Sequence, residues 1–323
     1  MSRKKIFFAA KLLYDVRESL RDFEVKIYDG EPPIPREALM EGVKDAHGLV
    51  VLLSDRVDAE VLNIASNLEI VANYAVGYDN IDIEECTKRR IAVTNTPDVL
   101  TDATAELAWA LVFSVSRRIV EAHRFIEKGI WRGWSPTLLL GIELKGKTLG
   151  VIGAGRIGQA FALKSSGFGM HVLYYSRRTN EVLEERLGAR KVSLEELLSQ
   201  SDIISLHLPL TPETYHIIGE REISLMKKTA ILINTGRGKL IHEEALIRAL
   251  KERRIYGAGL DVYEYEPKVP EELLTLENVV LLPHIGSATY EARTRMADLV
   301  IENLKAYFRG EVPPNIVNRS IYG

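Results

Sequence analysis

Gly150-Val151-Ile152-Gly153-Ala154-Gly155-Arg156-Ile157-Gly158, near the middle of the chain, reads strand, turn, helix. The β-branched and apolar run from Thr148 to Ile152 predicts a strand, and Gly153 and Gly155 supply the tight turn. Helical spacing begins around Arg156 and continues through Phe161 and Leu163, and a second apolar run from His171 to Tyr175 completes a βαβ unit. A G-x-G-x-x-G run by itself fits any loop that needs small residues. Between two strands it is the dinucleotide fingerprint, in which backbone N–H groups at a helix N-terminus hold a pyrophosphate at a distance only glycine permits.

The end of that second strand bears on the cofactor. A fold that binds NAD usually places Asp or Glu there to accept from the ribose 2′-hydroxyl. This chain has Tyr174-Tyr175-Ser176-Arg177-Arg178, a hydroxyl followed by two guanidinium groups. Arginine binds a 2′-phosphate through two parallel hydrogen bonds, and a carboxylate would repel it. NADPH is therefore expected to be preferred, with NADH possible; the plain alternative is a solvated charge pair in a loop.

The 323 residues suffice for two domains, each with its own core, and 46% hydrophobic with 27% charged residues is the composition of a globular protein. A formal net charge of −3 gives no electrostatic reason to expect nucleic acid or an anionic membrane. One cysteine, Cys86, excludes an intrachain disulfide and fits a reducing cytoplasm. Arg3-Lys4-Lys5 followed by Ile6 to Ala10 resembles the start of a signal peptide. Lys11 cuts the apolar run short, so it reads as a first strand. No apolar stretch reaches membrane-spanning length, and no metal is expected. Gln159 and Gln200 are the only glutamines, which hints at a thermophilic source.

Along the chain, residues 4–9 and 23–28 read as strands separated by a helix. A further helix starts near Pro35, and strands follow at 48–53, 69–73 and 91–94 with helical spacing at 58–66 and 82–89. A long apolar-periodic run, with Ala105, Leu107, Ala108, Leu111, Val112 and Val115, predicts one mostly buried helix reaching about Phe125. Trp131, Trp134 and Pro136 lie in an irregular segment after it. Strands at 148–152, 170–175, 202–206, 230–234, 257–261 and 279–282 alternate with helices, and a helical pattern from Tyr290 to Phe308 closes the chain. The expected fold is α/β: two Rossmann-like or flavodoxin-like doubly wound parallel-sheet domains with a cleft between them.

Three strand ends each offer an unusual polar residue. Asn234-Thr235-Gly236-Arg237-Gly238 delivers Arg237 in a glycine-flanked turn at the carboxyl edge of a sheet, where open α/β proteins bind ligands. Gly259-Leu260-Asp261-Val262-Tyr263-Glu264-Tyr265-Glu266-Pro267 and Leu281-Leu282-Pro283-His284-Ile285-Gly286-Ser287-Ala288-Thr289 are the others. Each has a duller reading: a surface salt bridge for Arg237, a turn residue for Glu266, a structural imidazole for His284.

These stretches, with Asn73-Tyr74-Ala75-Val76-Gly77-Tyr78-Asp79-Asn80-Ile81-Asp82, resemble the D-isomer-specific 2-hydroxyacid dehydrogenases, and most closely their glyoxylate and hydroxypyruvate reductases. The resemblance covers almost the whole chain. It implies that Arg237, Glu266 and His284 form the catalytic set. Arg237 would bind the substrate carboxylate and polarise the adjacent carbonyl, His284 would donate the proton, and Glu266 would fix the imidazole. Glu264 competes for that last role, but the family pattern sets the glutamate directly before proline.

The resemblance also implies substrate contacts from Leu53, Val76 and Gly77, and a carboxamide contact from Asp261. Further cofactor contacts fall on Ala154, Gly155, Arg156, Ile157, Ser176, Arg177, Arg178, Thr235, Gly236, Arg237, His284 and Gly286, with Thr104 and Pro209 as outlying candidates. His207 is expected to be structural. The implied domains are residues 1–98 plus 287–323 for substrate and 99–286 for the dinucleotide, with hinge closure between them. A homodimer is expected through the 99–125 helix region, and Trp134 is expected in core packing rather than at a partner's site. The alternatives are an NAD-dependent phosphoglycerate dehydrogenase, set back by the missing acidic residue and the absence of an appended regulatory domain, and a non-catalytic corepressor-like NAD(P) sensor. A formate dehydrogenase is disfavoured by Glu266, the acid–base partner that related formate enzymes lack.

Overall fold

The computed structural model describes residues 3–323; Met1 and Ser2, which open the expected first domain, lie outside the described residues. The chain divides into two compact units, Met1–Leu100 with Ala288–Gly323, and Thr101–Ser287.

The first unit is built from β1 (Lys5–Phe8), β2 (Glu24–Ile27), α1 (Arg36–Val43), β3 (Gly48–Val51), α2 (Ala59–Ile64), β4 (Ile70–Asn73), α3 (Ile83–Lys88) and β5 (Ala92–Thr94). Its sheet is parallel throughout, in the flavodoxin-like order β2-β1-β3-β4-β5. Every residue of β3 and β4 is buried, as a sheet covered on both faces requires. Asp58 and Asp82 cap α2 and α3 by accepting the N–H groups of Val61 and Glu85, each cap contributing about 1 kcal/mol.

The helix expected between β1 and β2 is absent. Past Ala9 and Ala10 at the end of β1, Val16 and Leu20 alone are buried there, one turn's worth of apolar anchor, and Asp15 takes the Arg17 N–H at 3.0 Å for a local turn instead.

The second unit opens with α4 (Thr101–Ser116) and α5 (Ile119–Glu127). It continues through β6 (Thr148–Ile152), α6 (Arg156–Lys164), β7 (His171–Tyr175), α7 (Glu181–Leu187), β8 (Arg190–Lys191), α8 (Leu194–Gln200) and β9 (Ile203–Leu206). It ends with α9 (Glu220–Leu225), β10 (Ile231–Asn234), α10 (Glu243–Lys251), β11 (Gly257–Leu260), α11 (Glu271–Thr275) and β12 (Val279–Leu281). The parallel order β12-β11-β10-β9-β6-β7-β8 reverses direction between β6 and β9, the topological switch point of a Rossmann sheet. Alternate strand residues feed opposite faces: Ile203, Ile231 and Ile233 join the core beneath α4, while Ile204 and Leu232 join the other.

The single helix expected to reach Phe125 is two. Arg118, at φ 53°, breaks it, and its guanidinium grips Glu121 at 2.6 and 2.8 Å. Ala105, Ala108, Leu111 and Val112 of α4 are buried, whereas α5 buries none of its residues. The two-residue edge strand β8 escaped the sequence reading, being too short to carry a period. Trp134, expected in core packing, is 85% exposed. The last helix, α12 (Tyr290–Phe308), is capped by Thr289 and packs on β4 of the first unit. Beyond it Val317 and Asn318 hydrogen-bond to the backbone of Val93 at 2.7 and 2.8 Å. Among the described residues no helix is long and apolar enough to cross a membrane, and no cluster of three metal-ligating side chains exists.

Candidate active site

The glycine turn closes β6 onto α6 as the fingerprint demands. Gly153 sits at φ 98°, and a Cβ on Gly158 would fall 1.9 Å from the Gly153 carbonyl oxygen, so helix and turn touch through bare backbone. Gly155 is the residue before α6; no side chain caps the helix there, and nothing lies within 4 Å of where its Cβ would be. The start of α6 thus has no side-chain cap and has room beside Gly155, the arrangement an anion uses. Ala154 is buried and its carbonyl accepts Asn180 Nδ2 at 2.9 Å; Arg156 is exposed and Ile157 half-buried on the first turn.

Ser176 is half-buried after β7, and Arg177 and Arg178 are exposed and in no salt bridge among the described residues. Lys191 on β8, which the sequence reading missed, donates to the Arg177 carbonyl at 3.1 Å and adds a third cation. Pro209 is exposed, its carbonyl bound by Thr214. His207 hydrogen-bonds Ser205 at 2.9 Å, and burial pushes its imidazole down to about 3, which keeps it neutral.

The adjacent strands β10, β11 and β12 bring the three polar segments to one edge. Register sets this: Asn234 pairs with Leu260, and Leu260 with Leu281. Asn234 shapes the Arg237 turn, its Nδ2 donating to the Arg237 carbonyl at 2.8 Å and its Oδ1 accepting the Gly236 N–H at 3.0 Å. A Cβ on Gly238 would lie 1.9 Å from the Tyr263 carbonyl, so the turn carrying Arg237 abuts the segment leading to Glu266. Tyr263 gives its N–H to Glu266 Oε1 at 3.0 Å and its hydroxyl to the Leu282 carbonyl at 2.8 Å. The other oxygen, Oε2, meets His284 Nδ1 at 2.8 Å. His284 holds φ at 55°, a left-handed conformation that costs a non-glycine residue and that surrounding packing must sustain.

Behind the histidine, Asp261 is fully buried. Its Oδ1 accepts the Ile285 N–H at 2.8 Å and its Oδ2 has no partner among the described residues. Burial raises its carboxyl above the ordinary value, against the pull of the Ile285 N–H and His284. Thr104, on α4, and Asp261 Oδ2 both come within 3.4 Å of a Cβ placed on Gly286. Thr235 Oγ1 is likewise buried without a partner. Glu264, the competing glutamate, is committed elsewhere: it takes His216 Nε2 at 2.9 Å and the Glu243 N–H at 3.1 Å. In the first unit, Leu53 follows β3 and Val76-Gly77 follow β4, at the carboxyl edge of that sheet.

A family model described as the D-isomer specific 2-hydroxyacid dehydrogenase NAD binding domain matches residues 109–286. The chain belongs to the D-isomer specific 2-hydroxyacid dehydrogenases. Among its relatives in this family, a glyoxylate reductase from Thermococcus litoralis is 57% identical over 93% of this chain and 92% of its own. Of the solved structures, the TT0316 protein from Thermus thermophilus superposes with a TM-score of 0.91 at 44% identity, covering 97% of this chain and 99% of that one.

An NADPH-dependent glyoxylate/hydroxypyruvate reductase from Sinorhizobium meliloti, in complex with NADP and malonate, gives 0.84 at 34% identity, covering 98% and 97%. A D-lactate dehydrogenase from Aquifex aeolicus, complexed with NAD and lactic acid, gives 0.88 at 33%, covering 98% and 99%. A dehydrogenase of this family takes a nicotinamide cofactor, and the second unit's residues fit one: an uncapped α6 N-terminus for phosphate, and a buried carboxylate oxygen without a donor.

Proposed function

We propose that the chain is an NADPH-dependent reductase of small 2-keto acids, taking glyoxylate to glycolate and hydroxypyruvate to D-glycerate. The observation that carries this reading is the His284–Glu266 pair at 2.8 Å, one strand from the Arg237 turn and directly against Asp261. When bound, the reduced nicotinamide supplies the hydride. Glu266 accepts from Nδ1 of His284 and fixes the ring's orientation, leaving Nε2 to give a proton to the carbonyl oxygen of the substrate. In the oxidative direction the same nitrogen takes the proton back. Arg237 clamps the substrate carboxylate with its planar fork and stabilises the charge that develops on the neighbouring oxygen. Asp261 Oδ2 would hold the nicotinamide carboxamide by accepting one of its amide N–H groups, with Thr104 and Gly286 close by.

We assign residues 99–286 to the dinucleotide and residues 1–98 with 287–323 to the substrate, the latter through Val76, Gly77 and Leu53. The preference for NADPH rests on Ser176, Arg177 and Arg178, with Lys191 alongside; no carboxylate occupies the strand end. Steady-state kinetics with glyoxylate, hydroxypyruvate and pyruvate, each with NADPH and NADH, test the whole reading. Turnover of glyoxylate with NADPH far above NADH is expected. Equal efficiency with the two cofactors overturns the preference, and binding without turnover of any keto acid supports a sensor instead.

A second copy of the chain is the proposed cover for residues 119–140. Ile119, Ile126, Trp131 and Trp134 there are 49%, 56%, 55% and 85% exposed. The exposed apolar surface belongs to α5 and the segment after it, since α4 is already buried in its own unit. Sedimentation should give a dimer that Ile126→Glu dissociates; a monomeric wild type removes the proposal.

A further inference from the structure

At the carboxyl edge of the first unit's sheet, successive backbone carbonyls are each held by a donor. The Ala75 oxygen accepts the Thr96 N–H at 2.9 Å, the Val76 oxygen accepts Asn95 Nδ2 at 2.8 Å, and the Gly77 oxygen accepts Asn73 Nδ2 at 2.7 Å. The neighbouring loop is tied in by Asn80, whose Nδ2 donates to the Leu52 and Asp55 carbonyls at 3.1 and 3.0 Å. The amides of Asn73 and Asn80 lie 3.4 Å apart. Asn73 is fully buried, so its direction is fixed by packing.

A peptide unit is planar and trans, so its C=O and the N–H of the next residue point in opposite directions. Holding the Ala75 oxygen therefore sets the Val76 N–H, and holding the Val76 oxygen sets the Gly77 N–H. Neither N–H donates to a protein atom among the described residues. Two consecutive donors thus stand aimed away from the groups that grip their carbonyls. Donors fixed before a charge arrives bind it without the cost of reorienting.

We propose that Asn95, backed by Asn73, is a positioning residue that presets the Val76-Gly77 amides for the carboxylate of the 2-keto acid. The proposal rests on the reading that this loop binds substrate. Asn95 touches neither substrate nor cofactor; it acts through the peptide plane it holds. Freed of Asn95, that plane rotates, and the Gly77 donor is lost to a carboxylate that must then order it.

The test is oxamate, a carboxylate that is not reduced, titrated into the NADPH-bound protein, with glyoxylate kinetics beside it. Asn95→Ala should raise both the oxamate Kd and the glyoxylate KM about tenfold or more. KM should rise far more than kcat falls, and the NADPH Kd should hold. A merely structural asparagine would lower the melting temperature, raise the NADPH Kd along with the oxamate Kd and the KM, and lower kcat with them, which overturns the proposal. Asn95→Asp keeps the volume but sets a carboxylate against the Val76 oxygen, so it should weaken oxamate at least as much and serves if the alanine variant does not fold. Gly77→Pro deletes one of the two N–H groups. If Gly77→Pro leaves oxamate binding unchanged, the loop is not the carboxylate site and the underlying reading fails. If it weakens oxamate while both Asn95 variants do not, the positioning proposal alone is overturned.

Discussion

Two histidine–glutamate pairs hang from the same turn after β11, and they are built alike. His284 meets Glu266 at 2.8 Å and His216 meets Glu264 at 2.9 Å, and both histidines sit in the left-handed region, at φ 55° and 51°. The difference lies in what surrounds them. Each glutamate spends both oxygens on protein donors, but the Glu264 side chain is only 6% exposed, and the His216 ring is stacked on Tyr215 at 3.9 Å and edged by His242 at 4.8 Å. Glu266 is 30% exposed, its histidine meets it through Nδ1, and the next residue, Ile285, gives its N–H to Asp261. A hydrogen-bonded imidazole is thus not in itself a catalytic one; the proposed proton donor is the one that must keep a ring nitrogen for the substrate.

The largest expected contrast is in turnover. Replacing His284 by alanine should cut kcat roughly 10²–10⁴-fold with NADPH binding retained. His216→Ala should leave kcat within a few-fold while lowering the melting temperature. Comparable losses of kcat in both variants would erase the distinction between the pairs.

The glutamates should divide the same way, less steeply. Glu266→Gln removes the carboxylate that accepts from His284 Nδ1 and orients the ring, so kcat should fall on the order of 10²-fold. Glu264→Gln should spare kcat and cost about 1–3 kcal/mol of stability, read by denaturant unfolding.

The smallest effect is a matter of pH. Burial works to raise the Glu264 carboxyl, but the Glu243 N–H and His216 overcome it and hold it below 4.5. A depressed carboxyl contributes stability above its unfolded value, lost as pH falls through the folded one. Wild-type stability should drop below about pH 4.5 more steeply than that of Glu264→Gln. His207, moved from 6.5 to about 3, adds its own loss across that interval in both proteins and so cancels in the difference.

Much of this was legible beforehand, and the reasons differ by element. The glycine turn and the strand ends bearing Arg237, Asp261 and His284 announce themselves, because glycine and buried charge are costly wherever nothing requires them. The break at Arg118 does not, since apolar spacing runs across it and one left-handed residue leaves no period. The stretch between β1 and β2 misled for the opposite reason: one apolar pair, Val16 and Leu20, imitates a helix that nothing else supports. Asparagine-to-carbonyl bonds such as Asn95 to Val76 follow no spacing and emerge only from coordinates. Glu264 and Glu266 look interchangeable as letters; their burial separates them.

The helix α12 and the strand-like tail at Val317 complete a sheet begun at Lys5, with the whole second unit inserted between. During synthesis the inserted unit has all its residues outside the ribosome before its host does. The residues up to Leu100 must wait, with β4 uncovered, for the segment that forms α12. A nascent chain stalled before Tyr290 would carry one finished lobe and one that still invites chaperones.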